Sequence, residues 1–138
     1  DFRRYHPGGK LGARLLRVKD LMHTGSALPI VARTTPMQEV VLEMSRKSFG
    51  VAIVCEGSKP IGVITDGDMR RNIERLWRST AGELIAGKPL TVQPEQSANS
   101  ALRLMNERGV TSIIVVGDVG DLRGLLHIHD CLRAGVDQ

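Results

Sequence analysis

The chain has 138 residues, 41% of them hydrophobic and 25% charged, which is ordinary for a globular domain. Aromatic residues make up only 3%, so the core must come from aliphatic side chains and methionine, and no apolar run approaches a membrane span. The net charge of +4 comes without a recognition helix, zinc-ligand spacing or an aromatic stacking platform, which argues against nucleic-acid binding. Because the sequence opens on Asp1 rather than on Met, we expect it to be part of a longer protein.

Residues 1–17 are basic and contain several glycines and a proline, a composition that predicts a linker. They lack the spacing of a phosphate-binding P-loop. Residues 18–22 then predict a short amphipathic turn and residues 29–31 a brief strand. A helix is predicted next, with Thr35 as its cap, Pro36 at its first position and Gln38 closing a capping box. Apolar strands are predicted at 51–55 and 61–65, joined by a turn at 57–60, and a second helix follows Thr65.

The same order of elements recurs about 60 residues later. Brief apolar segments at 83–85 and 89–92 precede a helix, strands at 112–116 and 123–127, and a last helix. The apolar helix positions repeat at a constant offset of 61, pairing Val40 with Ala101, Val41 with Leu102, and Met44 with Met105. Each β-α-β-β-α unit is too small to bury an adequate core alone, so the sequence predicts two units packed sheet against sheet. We therefore expect an α/β (α+β) fold, a linker over 1–17, and repeats over 18–78 and 79–138.

Each repeat ends in a related motif. Gly62, two apolar residues, Thr65 and Asp68 close the first, and Gly124, His127 and Asp130 occupy the matching positions of the second. This duplicated pattern resembles the tandem cystathionine-β-synthase (CBS) domain pair. The resemblance implies two CBS repeats packed as a pseudo-two-fold pair, and a regulatory module that binds adenosyl or other nucleotides in clefts between the repeats.

The residues around the pair resemble a particular group of CBS-bearing proteins. Residues 6–16 and 18–23 are similar to the junction between the sugar-isomerase (SIS) domain and the CBS pair in bacterial D-arabinose 5-phosphate isomerases, and residues 65–71 and 126–135 are also close to that family. The resemblance implies a cytoplasmic parent enzyme that interconverts ribulose 5-phosphate and arabinose 5-phosphate for the lipopolysaccharide sugar Kdo. It also implies that His6 completes the isomerase site in the parent, where its imidazole is suited to proton transfer. The present chain, without that domain, is expected to be inactive alone.

Thr65 and Asp68 are the first candidate ligand residues. Thr-x-x-Asp is close to a capping box, so a purely structural role is one interpretation. In the other, Asp68 accepts ribose hydroxyls while Thr65 and the helix N–H groups meet phosphate. The neighbouring Asp66 belongs to the same set, and Arg70 and Arg71 could pair with phosphate or a sugar carboxylate, or simply face solvent.

In the second repeat the candidates are His127, His129 and Asp130. Imidazole is a poor helix cap, so we expect His127 to contact a ligand phosphate or carboxylate instead. His127 and His129 could also catch a metal, but no third ligand has suitable spacing, so no metal and no cofactor are expected. Cys55 and Cys131 are predicted to be buried free thiols in a reducing compartment.

The favoured hypothesis is a regulatory CBS module of an arabinose 5-phosphate isomerase that binds CMP-Kdo or an adenine nucleotide such as AMP or ATP. Self-association as a homodimer is expected, and a tetramer in the parent isomerase. A scaffold that only holds isomerase domains together, with empty clefts, is the alternative. A different CBS-bearing parent, such as a transporter or a dehydrogenase, also stays open.

Overall fold

The computed structural model describes residue 12 and residues 15–137. It is a mixed α+β structure with two three-stranded sheets, which confirms the predicted fold class. The elements are α1 Val18–Leu21, β1 Ile30–Ala32, α2 Met37–Lys47, β2 Val51–Glu56, β3 Lys59–Thr65, α3 Asp66–Arg71, α4 Ala81–Leu84, β4 Thr91–Val92, α5 Ala98–Arg108, β5 Ser112–Val116, β6 Leu122–His127 and α6 Ile128–Arg133. Short 3₁₀ helices cover Gly25–Ala27 and Ile73–Arg78.

The two sheets have the same strand order. In the first, β2 lies between β1, which is parallel to it, and β3, which is antiparallel. In the second, β5 lies between β4, parallel to it, and β6. Val31 pairs with Val54 in the first sheet and Val92 with Val115 in the second, so the offset of 61 holds in the strand pairing as well as in the helices.

Strand β3 begins two residues before its predicted start. Pro60 was expected in the turn, but it pairs with Cys55 inside the strand. A proline cannot donate a ladder hydrogen bond, and it is tolerated here because β3 lies at the edge of its sheet. The pairing register shifts next to this proline: Val54 pairs with Gly62, whereas Cys55 pairs with Pro60.

The predicted cap of helix α2 is wrong in detail. Pro36 itself occupies the N-cap, and no side chain caps the helix. The hydroxyl of Thr35 instead accepts a hydrogen bond of 2.9 Å from the backbone N of Ala32, so it closes the preceding turn. Val40 and Met44 are buried, as the apolar stripe predicted.

The described chain forms two compact units that do not coincide with the sequence repeats. One, here the β1–β3 unit, comprises Gly25–Pro89 and Gly120–Leu122; the other, here the β4–β6 unit, comprises the residues up to Thr24, Leu90–Val119 and the residues from Arg123. Each repeat's first helix therefore belongs with the other repeat's sheet. In the β4–β6 unit the backbone N of Val18 donates to Gln96 O, and in the β1–β3 unit that of Ala81 donates to Thr35 O, both at 2.8 Å.

Each unit has its own aliphatic core. The buried residues of the β4–β6 unit centre on Met105, Ile113 and Leu126, and those of the β1–β3 unit on Met37, Val54 and Ile64. Cys55 and Cys131 are both buried free thiols, as predicted. Burial raises the pKa of Cys131 to about 11, so this thiol packs as a small apolar side chain.

Gly124 sits where strand β6 touches the segment after α1. A Cβ at this position would lie 2.6 Å from the backbone O of His23 and 2.9 Å from Sδ of Met22. We therefore expect Gly124→Ala to lower the free energy of unfolding by about 1–3 kcal/mol, as overpacking does. Urea denaturation followed by circular dichroism measures this loss.

Gly67→Ala is the matched control for this substitution. The nearest atom to a Cβ at Gly67 is Nη1 of Arg71, at 3.2 Å, which is the far end of a flexible side chain. Gly67 lies in helix α3, where alanine is favoured over glycine by up to about 1 kcal/mol. A Gly124→Ala protein as stable as Gly67→Ala would contradict the close approach.

Candidate functional site

The first candidate acid, Asp68, lies at the start of helix α3 and is fully engaged by its neighbours. Its Oδ2 accepts hydrogen bonds from the backbone N and the Oγ1 of Thr65, at 2.9 and 3.1 Å. The backbone N of Asp68 in turn donates to Thr65 Oγ1 at 3.2 Å, which completes a capping box. Its Oδ1 accepts from Nη2 of Arg71 at 2.6 Å. The capping role predicted for Thr65 and Asp68 is thus observed. Their contact with a ribose and a phosphate stays a proposal.

The other candidates of the first repeat are more exposed. Arg71 closes on Asp68 while 70% of its side chain stays accessible, against 16% for Asp68. Asp66 and Arg70 are exposed, and within the described part of the chain neither side chain makes a hydrogen bond or an ion pair. Arg71 also lines a cavity of about 340 Å³ with residues of the adjoining 3₁₀ helix. Three arginines, Arg71, Arg75 and Arg78, and one acid, Glu74, therefore line this cavity.

The expectation that His127 would not cap helix α6 is wrong. His127 is the N-cap residue, and its Nδ1 accepts a hydrogen bond of 3.1 Å from the backbone N of His129. The ring of His129 stands edge-on to that of His127, with centroids 4.7 Å apart. An imidazole can cap because an unprotonated ring nitrogen is a hydrogen-bond acceptor, as a hydroxyl oxygen is.

The second candidate acid, Asp130, has partners of a different kind. Its Oδ1 pairs with Nη2 of Arg133, three residues along α6, as Asp68 pairs with Arg71. Its Oδ2, however, lies 2.6 Å from Nε2 of His23, which is 107 positions away in the sequence. The Asp130 side chain is 14% exposed and that of His23 is 33% exposed, so the pair is partly shielded from solvent.

His23 is the residue that the sequence motifs missed. It is held by two backbone hydrogen bonds to Leu125 of strand β6, at 2.8 and 3.0 Å, and its side chain therefore faces Asp130. These side chains line a cavity of about 320 Å³ within the β4–β6 unit. Its lining residues are Asp20, Leu21, Met22, His23, Asp130, Arg133 and Ala134.

The remaining predicted positions lie elsewhere. His6 falls outside the described residues. A cavity of about 610 Å³ is lined mainly by residues of β1 and α2 and by none of the predicted ligand residues. The described residues contain no cluster of three or more His, Cys, Asp or Glu side chains that could hold a metal ion. In residues 12 and 15–137, no helix combines the length and apolar character needed to cross a bilayer.

The cap made by His127 predicts a pH-dependent stability. Burial, and next the charge of the neighbouring His129, lower the pKa of His127 from its ordinary value of 6.5. Protonation would place a proton on the capping Nδ1 and remove the cap. A lowered folded-state pKa means that the contribution is present above about pH 6.5 and is lost as pH falls through the lowered value. We expect wild type to lose more stability than His127→Asn between about pH 8 and pH 5, since asparagine caps without titrating.

Urea denaturation of both proteins across this pH range is the measurement. The difference between the two curves reports the titration of His127 together with its electrostatic interactions with His129, Asp130 and His23. Curves that stay parallel would show that the imidazole does not cap the helix in solution.

Comparison with known proteins identifies relatives of the whole chain. The family model for the CBS domain matches residues 18–75 and 81–137. Arabinose 5-phosphate isomerase KdsD of Escherichia coli O6:H1 (strain CFT073) is 41% identical over 141 residues, which covers 99% of this chain and 43% of the isomerase. The chain therefore spans less than half the length of the curated relatives it matches. Both similarities agree with the resemblance that the motifs predicted.

Solved structures share the fold at lower identity. The CBS domain protein PAE2072 from Pyrobaculum aerophilum, complexed with AMP, has a TM-score of 0.74 and 23% identity, covering 83% of this chain and 89% of that one. The CBS domain of a bacterial CNNM/CorC family Mg²⁺ transporter, in complex with ATP, has a TM-score of 0.76 and 19% identity, covering 91% and 90%. At these identities the likeness concerns the fold.

Proposed function

The chain belongs to the CBS domain family, whose model covers both of its repeats, and from this premise we propose that it is a regulatory module that binds a nucleotide or sugar nucleotide. The longer protein to which it belongs is, in this proposal, an arabinose 5-phosphate isomerase. Support comes from the 41% identity to KdsD across 99% of the chain. Structures of the same fold that hold AMP or ATP support the ligand class.

One observation carries the proposal: the two repeats place the same pair of charges at matching positions. Asp68 and Asp130 each lie at the start of the helix that follows the last strand of a sheet, and each pairs with an arginine three residues later. A carboxylate accepts hydrogen bonds from the two hydroxyls of a ribose, and an adjacent guanidinium pairs with phosphate. The ribose and the phosphate of a nucleotide thus have partners within one helical turn.

The specific ligand proposed is CMP-Kdo. It carries a ribose, a phosphate and the carboxylate of an acidic sugar. In the second repeat Arg133 pairs with Asp130 while 70% of its side chain stays exposed, so its guanidinium can also meet the carboxylate of an acidic sugar. Feedback by this compound would control the isomerase in the cytoplasm, where buried free thiols such as Cys55 and Cys131 stay reduced.

Isothermal titration of the chain with CMP-Kdo, AMP, ATP and CMP tests this function. We expect saturable heat from at least one of them, and weaker binding of the matching 2′,3′-dideoxy nucleotide, which cannot donate ribose hydroxyls to a carboxylate. If none of the four gives heat, the ligand proposal fails. Equal affinities for the ribo and dideoxy compounds would retain binding but remove the role of the acids.

Exposed apolar residues favour a scaffold as the second candidate function. Ile73 and Trp77, on the 3₁₀ helix after α3, are 63% and 57% exposed, and such side chains are common at interfaces between subunits. Deleting residues 18–138 from the longer protein separates the two functions. Loss of the tetramer with an unaltered response to CMP-Kdo, measured by sedimentation and by inhibition, would favour the scaffold.

A further inference from the structure

The two candidate acids, Asp68 and Asp130, differ in the hydrogen-bond partners of Oδ2. In both, Oδ1 accepts a hydrogen bond from an arginine on the same helix. Oδ2 of Asp68 accepts from the backbone N and the hydroxyl of Thr65, so its partners are local. Oδ2 of Asp130 instead pairs with His23, which is far away in the sequence. The same acid thus serves as a cap in one repeat and as a long-range contact in the other.

The cause of the difference is the residue at the N-cap. Thr65 has a hydroxyl that both donates to Asp68 Oδ2 and accepts from its backbone N. His127, in the matching position, has no hydroxyl and caps the helix with Nδ1, one residue earlier than in a capping box. The threonine-to-histidine change therefore leaves Oδ2 of Asp130 available to His23.

His23 ties a separate segment of the chain to this acid. Helix α1 ends at Leu21, and the next residues run alongside β6, where His23 and Leu125 exchange backbone hydrogen bonds. His23 itself meets β6 through an isolated bridge of one residue pair, while Val18 and Lys19 hold the start of the segment by backbone hydrogen bonds to Gln96 and Pro94. The His23–Asp130 contact, 2.6 Å long, adds a side-chain contact to that bridge.

We propose that His23 is a latch, released when a ligand takes Asp130, so that occupancy of the site loosens the segment that carries His23. The inference rests on the proposed nucleotide function. Both oxygens of Asp130 already have hydrogen-bond partners, so incoming ribose hydroxyls compete with His23 and Arg133 for its lone pairs. Arg133 lies on the same helix as Asp130, whereas His23 lies on a separate segment that meets β6 through the backbone bonds to Leu125.

Hydrogen exchange of the backbone amides of His23 and Leu125 tests the latch without a ligand. His127→Thr should rebuild a capping box, draw Asp130 Oδ2 to the new hydroxyl and speed exchange at both amides about tenfold or more. Asp130→Asn, which weakens the contact directly, should do the same. Lys19→Ala is the control, because it removes an exposed ion pair with Glu95 on the same segment and leaves the latch intact.

Ile114, whose backbone N donates to Leu90 O in the second sheet, reports on the unit as a whole. If a variant also speeds hydrogen exchange at the amide of Ile114, it has destabilised the whole unit. The exchange rates of the other variant then test the latch. Wild-type exchange at His23 and Leu125 in both His127→Thr and Asp130→Asn would overturn the latch.

The ligand arm repeats the exchange measurement with saturating nucleotide, using the compound with the strongest heat. Faster exchange at His23 with protection elsewhere is expected. Unchanged or slower exchange at His23, in the presence of measured binding, overturns the latch and leaves the nucleotide function standing. If no nucleotide gives heat, the nucleotide function fails and the ligand-driven release fails with it.

Discussion

Met105→Ala is expected to lower the free energy of unfolding by about 2–5 kcal/mol, the usual cost of truncating a buried methionine. Met105 lies on helix α5, and its side chain is 0% exposed in the core of the β4–β6 unit. The chain has few aromatic residues, so aliphatic and methionine side chains supply most of the buried apolar surface. Urea denaturation by circular dichroism measures the loss.

Leu42→Ala is the control for a truncation of similar size. Leu42 lies on helix α2 and is 54% exposed, and Arg103 occupies the matching position of helix α5. A substitution on this face should change stability by no more than about 0.5 kcal/mol. A cost below about 1 kcal/mol for Met105→Ala would mean that the second helix is not packed as described.

The regular elements could be predicted because short-range patterns fix them. Apolar runs of strand length and the 61-residue offset between Met44 and Met105 predicted the sheets and the paired helices, and the structure keeps that offset in the strand pairs Val31 with Val54 and Val92 with Val115. Duplication strengthened each prediction, because an error in one repeat would have disagreed with the other.

The helix caps were harder to predict from local sequence. Thr35 had the residue type of a cap, yet its hydroxyl satisfies the turn at Ala32, and Pro36 begins the helix. His127 lacked the residue type, yet its ring nitrogen makes the cap. In both cases the competing hydrogen bond depends on backbone geometry, which residue type alone does not specify.

The pairing of His23 with Asp130 was beyond any local pattern. The two residues are 107 positions apart and meet only because the segment after α1 runs beside strand β6. The sequence repeats assign residues 18–22 to the first repeat, whereas the compact units place helix α1 with the second sheet. Contacts that depend on this exchange therefore required the structure.

Asp68→Ala is expected to weaken nucleotide binding by about 1.5–3 kcal/mol, the contribution of a hydrogen bond to a charged group, or roughly 10- to 150-fold in Kd. Asp68 offers a largely shielded carboxylate beside Arg71, and alanine removes its acceptor oxygens. Isothermal titration with the nucleotide that binds wild type best gives the change in Kd. The same substitution removes the capping box with Thr65, so it should also lower Tm.

Glu83→Ala separates the ligand role of Asp68 from its capping role. Glu83 closes an equivalent capping box at helix α4, where its Oε1 accepts from the backbone N and the hydroxyl of Thr80 at 2.8 and 3.1 Å. It lies outside both sets of candidate ligand residues, so its loss should lower Tm while leaving Kd unchanged. If Asp68→Ala behaves like Glu83→Ala, with a lower Tm and the wild-type Kd, Asp68 is a helix cap and the ribose contact in the first repeat is refuted.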